Sequence, residues 1–278
     1  MITKIKAATS FKWFPNFITL CNSLCGFAAI LYILRVYEKT NTMGIEDYSL
    51  EVYSVSAYII LCAMIFDALD GFFARLLNAS SLEGVEMDSL SDMVTFGLAP
   101  ATLVAIMTHA MIVHRTDVDI TKTREFLIYC LCSIYIGGAA LRLARYNIKA
   151  MFPDKEDKVA DKNYFSGLPS PGAAAAICAV VLVAPKLNIS LKILSTFLPI
   201  YAAFLGLLMV SNVPYRHFAR YLISSIRSKK AMCIVAVLLA IVIIWPIKGL
   251  ASLITLYVFS GIINLLLMPF CRKKREEQ

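Results

Sequence analysis

The sequence predicts an all-α polytopic membrane protein of about eight spans, and three observations carry that prediction. Of its 278 residues, 59% are hydrophobic and only 17% charged, with a mean hydropathy of +0.71; a soluble domain carries about a quarter charged residues. The apolar residues gather into long runs of about the length a bilayer requires. The basic residues gather between the runs.

The runs cover residues 15–35, 52–77, 89–113, 126–148, 171–186, 190–211, 231–247 and 249–270. The fifth is short, and only Lys186–Ile189 separates it from the sixth. Ahead of the first, residues 1–14 mix Lys4, Lys6 and Lys12 with apolar side chains and Trp13. That mixture reads either as a helix lying in the interface plane before Pro15 or as a plain start obeying the orientation rule. Residues 151–164 form a solvated loop, and Arg216–Lys230 a basic connector to two nearly non-polar runs. The connector and the last two runs, in 213–278, read as an appended pair of transmembrane helices.

With the N-terminus inside, nineteen of the 27 Lys and Arg fall on its side of the membrane and eight on the other. An even number of spans with both ends cytoplasmic follows. The net charge of +8 is then explained by orientation and by anionic lipid, with no need for nucleic acid. Nearly all of the eight cysteines lie in apolar runs and form no paired or His-containing box, as small membrane hydrophobes in a reducing compartment would.

Four acids break the apolar pattern. Asp67 and Asp70 end the second run in D-A-L-D-G-F-F-A-R, and Asp88 and Asp92 open the third in G-V-E-M-D-S-L-S-D. Spacings of three and four put each pair on one helical face. An intramembrane acid is costly unless something offsets its desolvation. Hard oxygen ligands in this number suit magnesium, manganese or calcium, and not zinc. Two such ions could stabilise the entering and leaving oxygens of a phosphoryl displacement. Gly71 removes a side chain that would block a ligand, and Arg75, one turn on, could clamp a phosphate.

The pattern D-x-x-D-G-x-x-A-R, eight residues, then G-x-x-x-D-x-x-x-D resembles that of the CDP-alcohol phosphotransferases at every fixed position: Asp67, Asp70, Gly71, Ala74, Arg75, Gly84, Asp88 and Asp92. The resemblance implies a six-helix core over residues 1–212 that moves a phosphatidyl group from a CDP-activated lipid to an alcohol, releasing CMP. It implies Asp67, Asp70 and Asp88 as metal ligands, Asp88 bridging, with Asp92 as outer ligand and general base. The cofactor implied is magnesium or manganese, two ions per site. Gly71, Ala74, Arg75, Gly84 and Ser81 would meet the CDP-lipid, joined by Asn16 and Thr19 of an early Asn-x-x-Thr pattern. A homodimer is implied as well.

Four further stretches are similar to membrane-integrated phosphatidylserine synthases: P-N-F-I-T-L-C-N-S-L-C-G-F from Pro15, S-D-M-V-T-F-G-L-A-P-A from Ser91, A-L-R-L-A-R-Y-N from Ala140 and G-L-P-S-P from Gly167. They imply L-serine as acceptor and CDP-diacylglycerol as donor. A zwitterion needs a cation for its carboxylate and an acceptor for its ammonium. Arg142, Arg145 and Asn147 at the end of the fourth run, with Ser170 at the mouth of the fifth, could supply them; either Arg could instead snorkel to the headgroups. Ser211, Asn212 and Arg216 close the sixth run at the same face. Three readings stay open beside this one: the same chemistry on glycerol 3-phosphate, inositol phosphate or choline, a divalent cation transporter, and a non-catalytic scaffold. No Ser/His or Cys/His pair lies near the acids, so a direct displacement is expected.

Overall fold

A computed structural model describes residues 13–42, 50–77, 81–115, 122–151, 164–187, 189–216 and 246–276. The helices are α1 (Phe14–Thr42), α2 (Ser54–Leu76), α3 (Leu82–Asp92), α4 (Ala99–Arg115), α5 (Lys122–Met151), α6 (Ser170–Val183), α7 (Leu191–Val210) and α8 (Pro246–Glu276). Among the described residues, six helical segments are long and apolar enough to cross a membrane: Phe14–Lys39, Glu51–Leu76, Leu82–Ile112, Lys122–Ile148, Ser170–Leu187 and Lys192–Val210. They match the first six runs read from the sequence. The expected seventh span, 231–247, lies outside the described residues, as do residues 1–12 and most of the basic connector. The eighth run falls within α8, which opens on the apolar stretch Ile247–Gly261.

The third run differs most from expectation. Its helix begins at Leu82 because Ser81, in extended conformation, caps it, its Oγ accepting the Gly84 N–H at 3.0 Å. A serine in that role satisfies an N–H that would otherwise lack a partner. Beyond Asp92 the ladder widens to a π-turn over Met93–Leu98 before α4 continues. Such turns leave carbonyls for other partners, and here the Tyr135 hydroxyl donates to the Phe96 carbonyl at 2.8 Å. On the other side the Ser91 and Thr95 hydroxyls donate to the Thr19 and Asn22 carbonyls, at 2.9 and 3.0 Å. Gly26 permits this approach, since a Cβ there would lie 2.7 Å from the Thr95 Cα. The acid-bearing start of the third span is thereby fixed between α1 and α5.

Glycines also set the α5–α7 crossing. A Cβ on Gly206 would stand 2.6 Å from the Tyr135 Cα, and one on Gly138 would collide with the Gly206 carbonyl. With no hydrophobic drive between helices in lipid, such close backbone packing is what holds them. It carries Arg145, two turns past Gly138, to the end of α7, where it meets the Val210 carbonyl.

The fold also contains a small sheet that apolar periodicity did not announce. Strand β1 (Tyr164–Ser166) pairs antiparallel with β2 (Pro214–Arg216), Phe165 opposite Tyr215. Gly167 follows in left-handed conformation (φ 84°), as only glycine adopts freely, and its N–H reaches the Val213 carbonyl at 2.9 Å. The turn ties the mouth of α6 to the end of α7, so that Ser170 starts its helix fully buried. Tyr215 is buried too and donates to the Val258 carbonyl of α8 at 3.0 Å. Burial, with Tyr201 adding to it, pushes its phenol up to about 12, so at neutral pH the hydroxyl keeps the proton it donates.

Candidate active site

The end of α2 and the start of α3 bring the acids together. Ligand oxygens from Asp67, Asp70 and Asp88 all lie within 4.8 Å of one another. Asp92 is not part of that trio. It sits beside it, buried, within side-chain hydrogen-bonding reach of Asp67. Asp70 Oδ2, Asp88 Oδ1 and Asp92 Oδ1 are buried with no hydrogen-bond partner among the described residues. A lone Asp at the centre of a span costs about 3 kcal/mol, and grouped acids add mutual repulsion. The orphaned oxygens, in an all-carboxylate donor set, fit a hard divalent cation.

A cleft of about 120 Å³ opens beside the trio, lined by Pro15, Asn16, Thr19, Asp70, Gly71, Ala74, Ser81, Gly84, Val85 and Asp88. Six of the seven residues assigned to the CDP-lipid in the sequence are therefore on one wall or another of it. Thr19 reaches the Asp70 carboxylate and donates to the Pro15 carbonyl at 3.1 Å. A Cβ on Gly71 would meet nothing nearer than Arg75 Nη2, at 4.0 Å, so the backbone there faces open space. At Gly84 a Cβ would press on Ser81 Oγ at 3.1 Å and Asn16 Oδ1 at 3.3 Å. The seventh residue, Arg75, is exposed and turned back on its own helix, its Nε donating to the Gly71 carbonyl at 2.8 Å. It stands at the rim and does not line the cleft.

The residues assigned to the acceptor divide. Arg142 is half-buried, within electrostatic reach of Asp92 and Asp67, and donates to Ser170 Oγ at 2.7 Å. Arg145 is exposed and donates to the Val210 carbonyl at 2.9 Å, closing the C-terminal end of α7. Asn147 accepts from Ser89 Oγ at 2.8 Å, a contact between α5 and α3. Ser211 donates to the Leu208 carbonyl at 2.7 Å, as a helix-end residue does. Arg142, held by Ser170, thus faces the acids, whereas Arg145 and Asn147 tie helices together around them.

A sequence profile described as CDP-alcohol phosphatidyltransferase matches residues 12–210. The chain belongs to this family. Among curated relatives it is 27% identical over 255 residues to a CDP-diacylglycerol–serine O-phosphatidyltransferase of Helicobacter pylori, covering 92% of each chain. A protein of the same name from Methanocaldococcus jannaschii is 30% identical over 187 residues, 67% of this chain and 76% of its own. One from Saccharomyces cerevisiae is 35% identical over 162 residues, 58% of this chain and 51% of its own.

As a CDP-alcohol phosphatidyltransferase, the chain keeps its fixed acids at the meeting of two helices whose placement depends on residues the motif leaves free. Ser89 and Ser91 occupy variable positions of the second half-motif, yet one fastens α3 to α5 and the other fastens it to α1. Asn22 and Thr95 act likewise. No spacing rule marks them. Only the abundance of Ser, Thr and Asn within otherwise apolar runs hinted at polar contacts between helices.

Proposed function

We propose that this chain transfers the phosphatidyl group of CDP-diacylglycerol to the hydroxyl of L-serine, yielding phosphatidylserine and CMP. The observation that supports it best is Arg142, which stands between Ser170 and the acid pair Asp92–Asp67 and so offers a cation for the acceptor's carboxylate beside the acids. The shared name of the relatives points the same way.

In this reading the cleft holds the cytidine diphosphate between Asn16, Thr19, Gly71, Ala74, Ser81 and Gly84, with Arg75 at its rim, while the acyl chains stay in lipid. Arg142 binds the serine carboxylate through charge-assisted hydrogen bonds. Asp92 Oδ1 takes the proton of the serine hydroxyl as that oxygen bonds to the lipid-linked phosphorus. The bond from that phosphorus to the bridging oxygen breaks, and CMP leaves with the electron pair. Asp67, Asp70 and Asp88, with Asp92 at their edge, would hold two divalent ions, magnesium or manganese, whose contribution is to neutralise charge on the phosphate oxygens. Residues 1–212 form the catalytic core of a homodimer in the cytoplasmic membrane, working at the inner leaflet with both chain ends on that side.

CMP release from CDP-diacylglycerol by purified protein, assayed with L-serine, glycerol 3-phosphate, inositol phosphate and choline in turn, tests the proposal. Release dependent on serine, with formation of an aminophospholipid, is expected. Release with another alcohol and none with serine would contradict the acceptor, and manganese flux into liposomes without nucleotide would favour a transporter.

A further inference from the structure

The family match ends at residue 210, and a helix beyond it packs against the turn that holds Ser170. Helix α8 packs along α6, and its Tyr257 lies over the first turn of that helix. A Cβ on Gly172 would come 3.3 Å from Tyr257 Cε1, the ring carbon next to the one bearing the hydroxyl. Ser170, two residues earlier in the same turn, is the partner of Arg142. Tyr257 and Arg142 are themselves within electrostatic reach of each other. The placement is held from the far side by Tyr215, whose ring centroid is 5.6 Å from that of Tyr257 and whose hydroxyl binds the Val258 carbonyl. Gly261 leaves room for it, because a Cβ there would collide with the Tyr215 ring.

We infer that α8 completes the acceptor pocket, with Tyr257 as a positioning residue that orients the Arg142 guanidinium for the acceptor's carboxylate. The inference rests on the proposed transfer to a carboxylate-bearing alcohol and adds a specificity role for the segment beyond the family core. Two features set Tyr257 apart from a filler of lipid-facing surface. Its edge meets the one position in the first turn of α6 that lacks a side chain, and it is aligned by the buried Tyr215 of the β1–β2 pair.

The test is Tyr257→Phe in the full-length protein, which keeps the ring over Gly172 and removes only the hydroxyl. The KM for L-serine should rise about tenfold, the scale of losing one polar group near a charge, with kcat and the KM for CDP-diacylglycerol unchanged. Gly172→Ala, which crowds the ring from the α6 side, should give the same pattern and decides the matter if the first variant does not fold. An unchanged KM for serine overturns the inference. So does an equal loss against both substrates accompanied by a lower thermal midpoint, the mark of packing alone. Should the wild-type protein use another alcohol, the transfer to serine is refuted separately. The KM for that alcohol then decides: a rise in Tyr257→Phe supports the role of α8, and no change overturns it.

Discussion

Asp92→Asn should lower kcat for serine-dependent CMP release by about 100- to 10,000-fold, the range general-base removal produces, while binding of CDP-diacylglycerol persists. Asp92 is 8% exposed, and its Oδ1 has no partner among the described residues, so that oxygen is free to receive a proton. Asparagine has the same shape and cannot receive one. The substitution also removes a negative charge from a cluster in which Asp67 lies within hydrogen-bonding reach. Relief of repulsion means the thermal midpoint should hold or rise, which separates a chemical loss from unfolding. Steady-state kinetics beside a thermal-shift measurement and a CDP-diacylglycerol binding isotherm checks all three. Wild-type kcat in the variant would remove Asp92 from the proton transfer and restore the scaffold reading for that acid.

The second large effect is expected at Arg142. Its guanidinium serves Ser170 Oγ on one side and faces Asp92 and Asp67 on the other. Truncating one member of a buried charge pair costs about 2–5 kcal/mol, so Arg142→Gln should raise the KM for serine by about 30- to 5,000-fold. Arg142→Lys should recover little, since a point charge cannot replace a planar fork directed at a carboxylate and a hydroxyl at once. The KM for CDP-diacylglycerol should move far less, because the nucleotide cleft is lined by α1, α2 and α3 and does not include Arg142. Arg145→Gln is the internal comparison. Its guanidinium caps the Val210 carbonyl at the surface, so its loss should cost a modest amount of stability and leave the serine KM near that of the wild type. Equal effects at both positions would mean that neither binds the acceptor.

The acids were legible in the sequence because their chemistry depends on spacing along single helices, and helical spacing survives in any tertiary setting. Two pairs at three and four residues had to present one face each, and the third-span pair meets the second-span pair as that pattern required. The six long helices were legible for a similar reason: apolar length is a local property. Helix boundaries set by polar detail were not. Apolar content placed the third span at residue 89, yet the helix starts at Leu82 because a serine cap outweighs the polar residues between. The β1–β2 pair is too short for any alternation to register, and it depends on Gly167 docking against residues more than forty positions away. The acceptor side was half legible. Arg142 and Arg145 are equivalent as sequence, three residues apart at the end of one run, and only the glycine crossing of α5 on α7 sends one towards the acids and the other onto a helix end. Tyr257, on a helix outside the family pattern, carried no sequence signal of its own.

Equilibrium binding of manganese, followed by the loss of its free-ion electron paramagnetic resonance signal, addresses the carboxylate cluster without depending on turnover. Saturable uptake by the purified protein, abolished in Asp70→Asn with the thermal midpoint retained, is the predicted result. Uptake of equal strength in that variant, or no uptake by the wild-type protein with CDP-diacylglycerol present, would contradict it.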